Sequence, residues 1–131
     1  MSNPSKAKGT RAETKVKRYF NEHGLRCERK ALAGSDDEGD LRLYLNDGTE
    51  VAIEVKAGRQ TSNYNRTALN EWKGQTLKES INSGCPSMLV IVRYRRAFED
   101  AEVWMPNSIW GGQEPGWTMT YIDDLVKSIG G

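Results

Sequence analysis

The chain has 131 residues, a length typical of a single domain. Apolar residues make up 37% and charged residues 28%, a balance that excludes a largely disordered chain. The longest apolar run, Met88 to Val92, is far too short to cross a bilayer, and the basic start is not followed by an apolar segment, so we expect neither a membrane span nor a secretory signal. Two isolated cysteines, Cys27 and Cys85, do not provide a disulfide framework or a cysteine zinc site, so we expect a cytoplasmic protein with reduced thiols.

The formal charge of +1 conceals four blocks of alternating sign. Residues 1–30 carry nine basic and three acidic side chains, and residues 31–56 carry two basic and seven acidic ones. Residues 57–96 carry seven basic and two acidic side chains, and residues 97–131 carry one basic and six acidic ones. An acidic block between two basic ones is suited to holding a cation beside a polyanion such as nucleic acid. Charge clustering without a function explains the same pattern, and both explanations stay open at this point.

Hydrophobic periodicity, capping signals and glycine positions predict three helices and six strands. Residues 1–8 are polar and basic and are predicted to form a mobile basic arm before a single domain over residues 9–131. The predicted elements, in chain order, are a helix Thr10–Glu22, strands Leu25–Leu32, Asp40–Leu45 and Glu50–Lys56, a helix Thr67–Ser83, strands Met88–Tyr94, Glu102–Met105 and Thr118–Ile122, and a short helix Asp123–Ile129. The continuous apolar run in Met88–Tyr94 is typical of a strand that is buried on both faces.

The segment Asn46-Asp47-Gly48 joins two alternating strands and is a hairpin signal. A two-residue turn would place Leu41 across from Glu54 and mix apolar with charged side chains on each face. A three-residue turn instead places Leu41 across from Ile53 and brings every apolar residue to one face, so we predict this register. It also places Asp40 directly opposite Glu54.

This register gives the polar face a chemical use. Directly opposed residues have Cβ atoms about 4.5–5.5 Å apart, where two carboxylates repel each other. A divalent cation between Asp40 and Glu54 would convert that repulsion into chelation, and carboxylates are typical Mg²⁺ ligands. Lys56 points to the same side as Glu54 and could position a water molecule or stabilise negative charge. A polar outer face with an exposed Glu54–Lys56 pair is the alternative.

At this point the residues resemble a known family. Gly39-Asp40 followed by Glu54-Val55-Lys56 resembles the PD-(D/E)xK nuclease signature, with Gly39 in place of the usual proline. Together with Gly9-Thr10-Arg11-Ala12-Glu13 and Gly34-Ser35, it is similar to the archaeal-type Holliday junction resolvases, including viral relatives, over about residues 9–80. The resemblance implies an α/β nuclease domain over residues 9–131, with a central mixed β-sheet flanked by helices in a restriction-endonuclease-like nuclease core. It further implies a homodimer that cleaves four-way DNA junctions with Mg²⁺, for which Mn²⁺ would substitute.

The resemblance also implies which residues carry the chemistry. Glu13, Asp40 and Glu54 would bind the metal ion, and Lys56 would position the attacking water, so these four residues would be catalytic. Ser35 and Gln75 would be accessory residues, although the acidic insertion Asp36-Asp37-Glu38 departs from the loop of that family.

Basic residues near these positions are predicted to contact DNA phosphates. They are Lys8, Arg11, Lys15 and Arg18 around the first helix and Arg59 and Arg66 after Lys56. Trp72 and Trp104 are predicted core residues, whereas Trp110 and Trp117 could pack in the core, form a dimer contact or stack on bases. Two other functions remain open: a PD-(D/E)xK nuclease for other DNA (restriction-like, flap or repair nicking), and a non-catalytic DNA-binding module of the same fold.

Overall fold

The structure, a computed structural model, describes the backbone of residues 4–30, 40–110 and 115–129, and the side chains of residues 11–30, 41–110 and 115–129. The helices are α1 (Pro4–Glu22), α2 (Arg66–Ser83) and α3 (Ile122–Ile129). The strands are β1 (Arg26–Lys30), β2 (Asp40–Tyr44), β3 (Glu50–Lys56), β4 (Ser87–Ile91), β5 (Glu102–Pro106) and β6 (Trp117–Tyr121). Short 3₁₀ turns cover Arg59–Thr61 and Phe98–Asp100.

The six strands form one mixed sheet in the order β1-β2-β3-β4-β5-β6. Strands β3 and β4, which are joined through α2, run parallel, and the other neighbouring pairs run antiparallel. Helices α1 and α3 cover one face of the sheet and α2 covers the other. The predicted α/β class with a central mixed sheet flanked by helices is therefore confirmed.

Strand β4 is buried on both faces, as its apolar run predicts. Met88 and Val90 belong to the core beneath α1 and α3, whereas Leu89 and Ile91 pack with Trp72 of α2. The strand ends at Ile91, three residues before the predicted end, because the chain then turns at the basic segment 93–96. The sheet thus has two separate helix-covered faces, and side chains alternate between them.

The β2–β3 hairpin has the predicted register. Leu41 pairs with Ile53, and the Leu45 amide donates to the Thr49 carbonyl at 2.8 Å, so the turn has three residues. Gly48 has a φ of 90°, the left-handed conformation that such a turn needs and that glycine adopts without steric cost.

The first helix begins earlier than predicted. Helix α1 starts at Pro4 instead of Thr10, so Thr10 lies inside the helix and is not its N-cap. Proline is favoured in the first helical turn, and the lysines and alanine that follow it are good helix formers. Among the described residues, no helix is both long and apolar enough to cross a membrane.

Candidate functional site

Glu54 and Lys56 lie next to each other on the α2 side of the sheet. The register with β4 pairs Glu54 with Leu89 and Lys56 with Ile91, and both partners belong to the apolar cluster under α2. The Lys56 Nζ lies 3.3 Å from the Glu54 Oε1, and the two side chains are 19% and 29% exposed. The pair is therefore half-buried beside a helix. The alternative from the sequence, an exposed pair on an open outer face, is not what the structure has.

Asp40 is the first residue of β2. Leu41 pairs with Ile53, so the same ladder continued by one residue places Asp40 opposite Glu54, on the α2 side. The side chain of Asp40 lies outside the described residues. The register thus brings Asp40, Glu54 and Lys56 to one face, as the sequence predicts.

A buried arginine lies on the same face, two residues after Asp40. The side chain of Arg42 is 6% exposed, and its guanidinium lies 3.3 Å from Glu50 on β3 and 3.6 Å from Glu79 on α2. This ion pair ties α2 to β2 next to the candidate site. The sequence shows only an alternating polar residue here, because the role of Arg42 depends on where α2 packs.

Gln75 lies one helical turn before Glu79, on the side of α2 that faces β2. Thr76 accepts a hydrogen bond from Ser87 at the start of β4, whereas Trp72 packs near the end of that strand. Helix α2 therefore runs antiparallel to β4, and Gln75 lies closer than Glu79 to the position of Glu54 along the sheet. Gln75 is exposed, and its accessory role stays a prediction.

Glu13 is held on the other side of the sheet. Its carboxylate accepts a hydrogen bond from Arg29 Nη1 at 2.5 Å, and Arg29 pairs with Leu41, which faces α1. The contact that the structure gives Glu13 is thus with β1. Metal binding by Glu13 would require exchange of this ion pair, and the predicted role remains a prediction.

Among the described side chains, which do not include that of Asp40, no three metal-ligating residues lie close enough together to hold a metal ion. Ser35 and the acidic insertion that follows it lie outside the described residues. Of the predicted metal ligands, Glu54 lies beside Lys56 on the α2 side, Glu13 lies on the α1 side, and the side chain of Asp40 is outside the described residues.

The predicted DNA-contacting residues separate into several surfaces. Arg11 and Lys15 line a cleft of about 470 Å³, whereas Arg18 lines a different cavity along α1. Arg59 is exposed in the turn directly after β3. Arg66 begins α2 close to Lys73, where burial lowers the Lys73 pKa and the charge of Arg66 lowers it further. The side chain of Lys8 lies outside the described residues, although its backbone belongs to α1.

Three basic residues at the cleft are absent from the prediction, and one of them, Arg93, is paired with Glu102. Arg95 and Arg96 lie on the turn after β4 and line the same cleft as Arg11 and Lys15. The signal that could have identified them is the run Arg93-Tyr94-Arg95-Arg96 directly after a buried strand. Chain ends of buried parallel strands are common ligand-binding positions.

The tryptophans serve packing wherever their contacts are defined. Trp72 is buried and Trp104 packs against it, as predicted. Trp110 packs on the α1-side core and donates to the Ser87 carbonyl at 3.0 Å, which makes it a packing residue. The Lys73 Nζ lies 4.7 Å from the Trp104 ring centroid and 5.5 Å from that of Trp117, so Trp117 covers a lysine beside α2.

Comparison with known proteins gives the fold. Neither a family model nor a curated protein matches the sequence. Among solved structures, the chain is similar to Archaeoglobus fulgidus Hjc, a Holliday junction resolvase from an archaeal hyperthermophile, with a TM-score of 0.53 and 16% identity over 92% of this chain and 96% of that chain. The two proteins share a fold. The α/β architecture that the sequence resemblance implies is thereby confirmed.

Proposed function

We propose that this protein is a metal-dependent endonuclease that cleaves four-way DNA junctions. The observation that carries the proposal is the half-buried Glu54–Lys56 pair on β3, with Asp40 opposite by register, in a fold shared with a Holliday junction resolvase. Two acids and a lysine on adjacent strands suit phosphodiester hydrolysis, because the reaction must hold a cation and stabilise negative charge.

The residues present fit Mg²⁺ or Mn²⁺. Both ions prefer oxygen ligands, and Glu54 and Asp40 would provide carboxylates from neighbouring strands. Glu54 remains partly accessible to solvent, so an ion can reach it. Glu13, which pairs with Arg29 on the α1 side of the sheet, would join this ligand set only after leaving Arg29 and after a rearrangement of the start of α1. When bound, the metal ion would neutralise charge on the scissile phosphate.

Lys56 acts beside the carboxylates. Its ammonium group has three donors, of which one can remain on Glu54 while the others orient the attacking water and hold a phosphate oxygen. The contact with Glu54 fixes the lysine before substrate arrives, which limits reorganisation during the reaction. In-line attack by that water would leave a 5′-phosphate, as the resembled family does.

We also propose a homodimer, because two sites related by a two-fold axis would nick the two symmetric strands of a stacked junction. Strand β5 lies inside the sheet and has no free edge for a partner, so we place the dimer contact on the neighbouring edge strand β6 and on α2. Large apolar side chains are exposed there: Leu77 and Ile81 on α2, and Met119 and Tyr121 on β6.

Ile81 offers a direct test of the dimer. Its side chain is 81% exposed, so Ile81→Glu should leave the fold intact while placing a charge in an apolar interface. Asn82→Glu, at the next exposed position of the same helix, is the control. Sedimentation should give about twice the 14.7 kDa monomer mass for the unchanged chain and for the control, and a smaller mass for Ile81→Glu. A monomeric unchanged chain would refute the dimer.

The free thiols of Cys27 and Cys85 support a reducing compartment, and we place the protein in the cytoplasm. Its function is tested by incubating it with Mg²⁺ and four-way, flap and linear DNA of matched sequence. We expect paired nicks placed symmetrically across the four-way junction, with linear duplex largely spared. Equal cleavage of linear duplex would favour a general nuclease, and binding without cleavage of any substrate would favour a non-catalytic module.

A further inference from the structure

A basic cleft lies at the carboxyl ends of the parallel strands β3 and β4. Its volume is about 470 Å³, and it is lined by α1 through Arg11 and Lys15, by Gly58 after β3, and by Arg95 and Arg96 after β4. Ligands of open α/β sheets bind at the carboxyl ends of strands, where the loops diverge. The cleft begins at Ala57, the residue that follows Lys56.

The cleft carries positive charge without compensation from its own walls. Among the described residues that line it there is no acid, and Arg11, Lys15, Arg95 and Arg96 form no ion pair with another described residue. A fifth cation, Arg93, is neutralised by the buried Glu102 at 2.8 Å. A concave surface lined by one sign of charge concentrates ligands of the opposite sign.

The floor of the cleft is rigid. The buried Thr61 hydroxyl lies 2.8 Å from the Gly58 carbonyl and 3.1 Å from the Val92 carbonyl and shares its one hydrogen between them, and it accepts from the Tyr94 amide at 2.9 Å. Arg93 donates to the Thr61 carbonyl at 2.7 Å. These bonds join the loop after β3 to the turn after β4, so the basic side chains project from a fixed base.

Arg95 occupies a conformation that disfavours its side chain. Its φ is +58°, and it is the one described residue other than glycine with a positive φ. A left-handed residue with a Cβ costs about 1 kcal/mol or more, which glycine would avoid. The conformation directs a guanidinium to the cleft, where it lies 5.2 Å from the Tyr94 ring centroid. Strain of this kind marks positions where the side chain has a task.

We propose that this cleft binds the phosphodiester backbone of a polynucleotide strand, with Arg95 and Arg96 as phosphate contacts opposite Arg11 and Lys15. The choice of a polynucleotide rests on the proposed function. Ala57 and Gly58, which follow Lys56, form part of the cleft wall, so a strand held in the cleft on the α1 side would pass the end of β3 to reach the Glu54–Lys56 site on the α2 side. Arginine suits this role, because its planar group donates two parallel hydrogen bonds to a phosphate.

The test is binding of a fluorescent single-stranded oligonucleotide in EDTA, measured by anisotropy across a range of salt concentrations. Arg95→Gly removes the guanidinium at a position where glycine is conformationally favoured, so the turn should be preserved. Arg96→Gln is the second variant, and Arg26→Ala, an exposed arginine at the opposite end of the sheet, is the control. Each cleft variant should weaken binding several-fold at low salt and reduce the salt slope by about one phosphate contact, or about 0.7 for a single strand.

The result that overturns the proposal is an unchanged affinity and slope for both cleft variants, or an equal loss for Arg26→Ala. Inorganic pyrophosphate distinguishes a site for the polynucleotide backbone from a site for a small phosphate anion. Displacement of the oligonucleotide by micromolar pyrophosphate would show a small-anion site and refute a backbone site. If displacement instead needs millimolar pyrophosphate, and an equal ionic strength of added salt displaces as much, the backbone site is supported. Cleavage plays no part in this measurement, so an inactive protein whose cleft variants lose affinity would refute the endonuclease and leave the binding site standing.

Discussion

Replacing Arg42 with methionine tests whether the buried ion pair between β2 and α2 stabilises the fold. Methionine keeps most of the apolar stem and removes the guanidinium that lies between Glu50 and Glu79. The change leaves two carboxylates that face a largely buried site without their shared cation. Because Asp40 starts the same strand on the same face, the loss also places unbalanced negative charge next to the candidate site.

The size of the effect follows from burial. Removing one partner of a fully buried ion pair costs about 3–5 kcal/mol. Here Arg42 is 6% exposed, but Glu79 is 19% and Glu50 31% exposed, and Lys30 still pairs with Glu50 at 3.2 Å. Water and Lys30 therefore offset part of the loss, and we expect the free energy of unfolding to fall by about 2–3 kcal/mol. With an m-value of about 1–3 kcal/mol/M, the urea midpoint should fall by about 0.7–3 M.

Urea unfolding followed by tryptophan fluorescence measures this change. Arg26→Met, at an exposed pair with Glu28, is the matched control and should cost less than about 1 kcal/mol. The double variant Arg42→Met with Glu79→Leu should recover part of the loss, since an apolar pair can replace a buried ion pair. An Arg42→Met protein within about 0.5 kcal/mol of the unchanged chain would refute the reasoning.

Three further predictions concern the turn, the thiols and the alkaline limit. Gly48→Ala should lower the free energy of unfolding by about 1–2 kcal/mol in urea titrations, because residue 48 has a φ of 90°. Burial raises the pKa of Cys27 to about 12, so a thiol reagent at pH 8 should modify Cys85 and leave Cys27 intact until the protein unfolds; rapid reaction of both would contradict this burial. Burial and the bond to Glu102 raise the Tyr64 pKa to about 12 from 10.0. The contribution of Tyr64 to the free energy of unfolding is therefore fully present below pH 10 and is lost between pH 10 and 12. Over that interval the free energy of unfolding of a Tyr64→Phe protein should fall less than that of the unchanged chain.

The parts of the fold that local sequence determines are the parts predicted well. The alternation of Leu41 with polar neighbours and the glycine at position 48 specify the hairpin register, because a one-residue slip would reverse every side chain. The apolar run of β4 identifies a central strand for a similar reason. The predicted start of α1 at Thr10 is wrong. The capping signal there is only a local preference, and the helix-favouring residues from Pro4 onward override it.

The parts of the candidate site that depend on tertiary packing could not be predicted. Arg42 finds Glu79 only because α2 crosses the sheet above it, and Glu13 meets Arg29 only because α1 lies over β1. The cleft likewise joins α1 to a turn about eighty residues later in the sequence, so the approach of Arg95 to Arg11 and Lys15 depends on where α1 packs. The sequence pattern predicts that Asp40, Glu54 and Lys56 lie on one strand pair, but it does not predict the charges that surround them.

The most direct test of the central claim is single-turnover cleavage of a four-way junction with Mg²⁺ at saturating protein, comparing Glu54→Gln with Glu28→Gln. The amide keeps the size of Glu54 but removes the charge proposed to hold the metal ion, so we predict a rate lower by about 10²-fold or more. Glu28 is an exposed carboxylate on β1, and its variant should cleave like the unchanged chain. Far-UV circular dichroism of both variants establishes that the fold is retained. Full cleavage by a folded Glu54→Gln protein would contradict the assignment of this site.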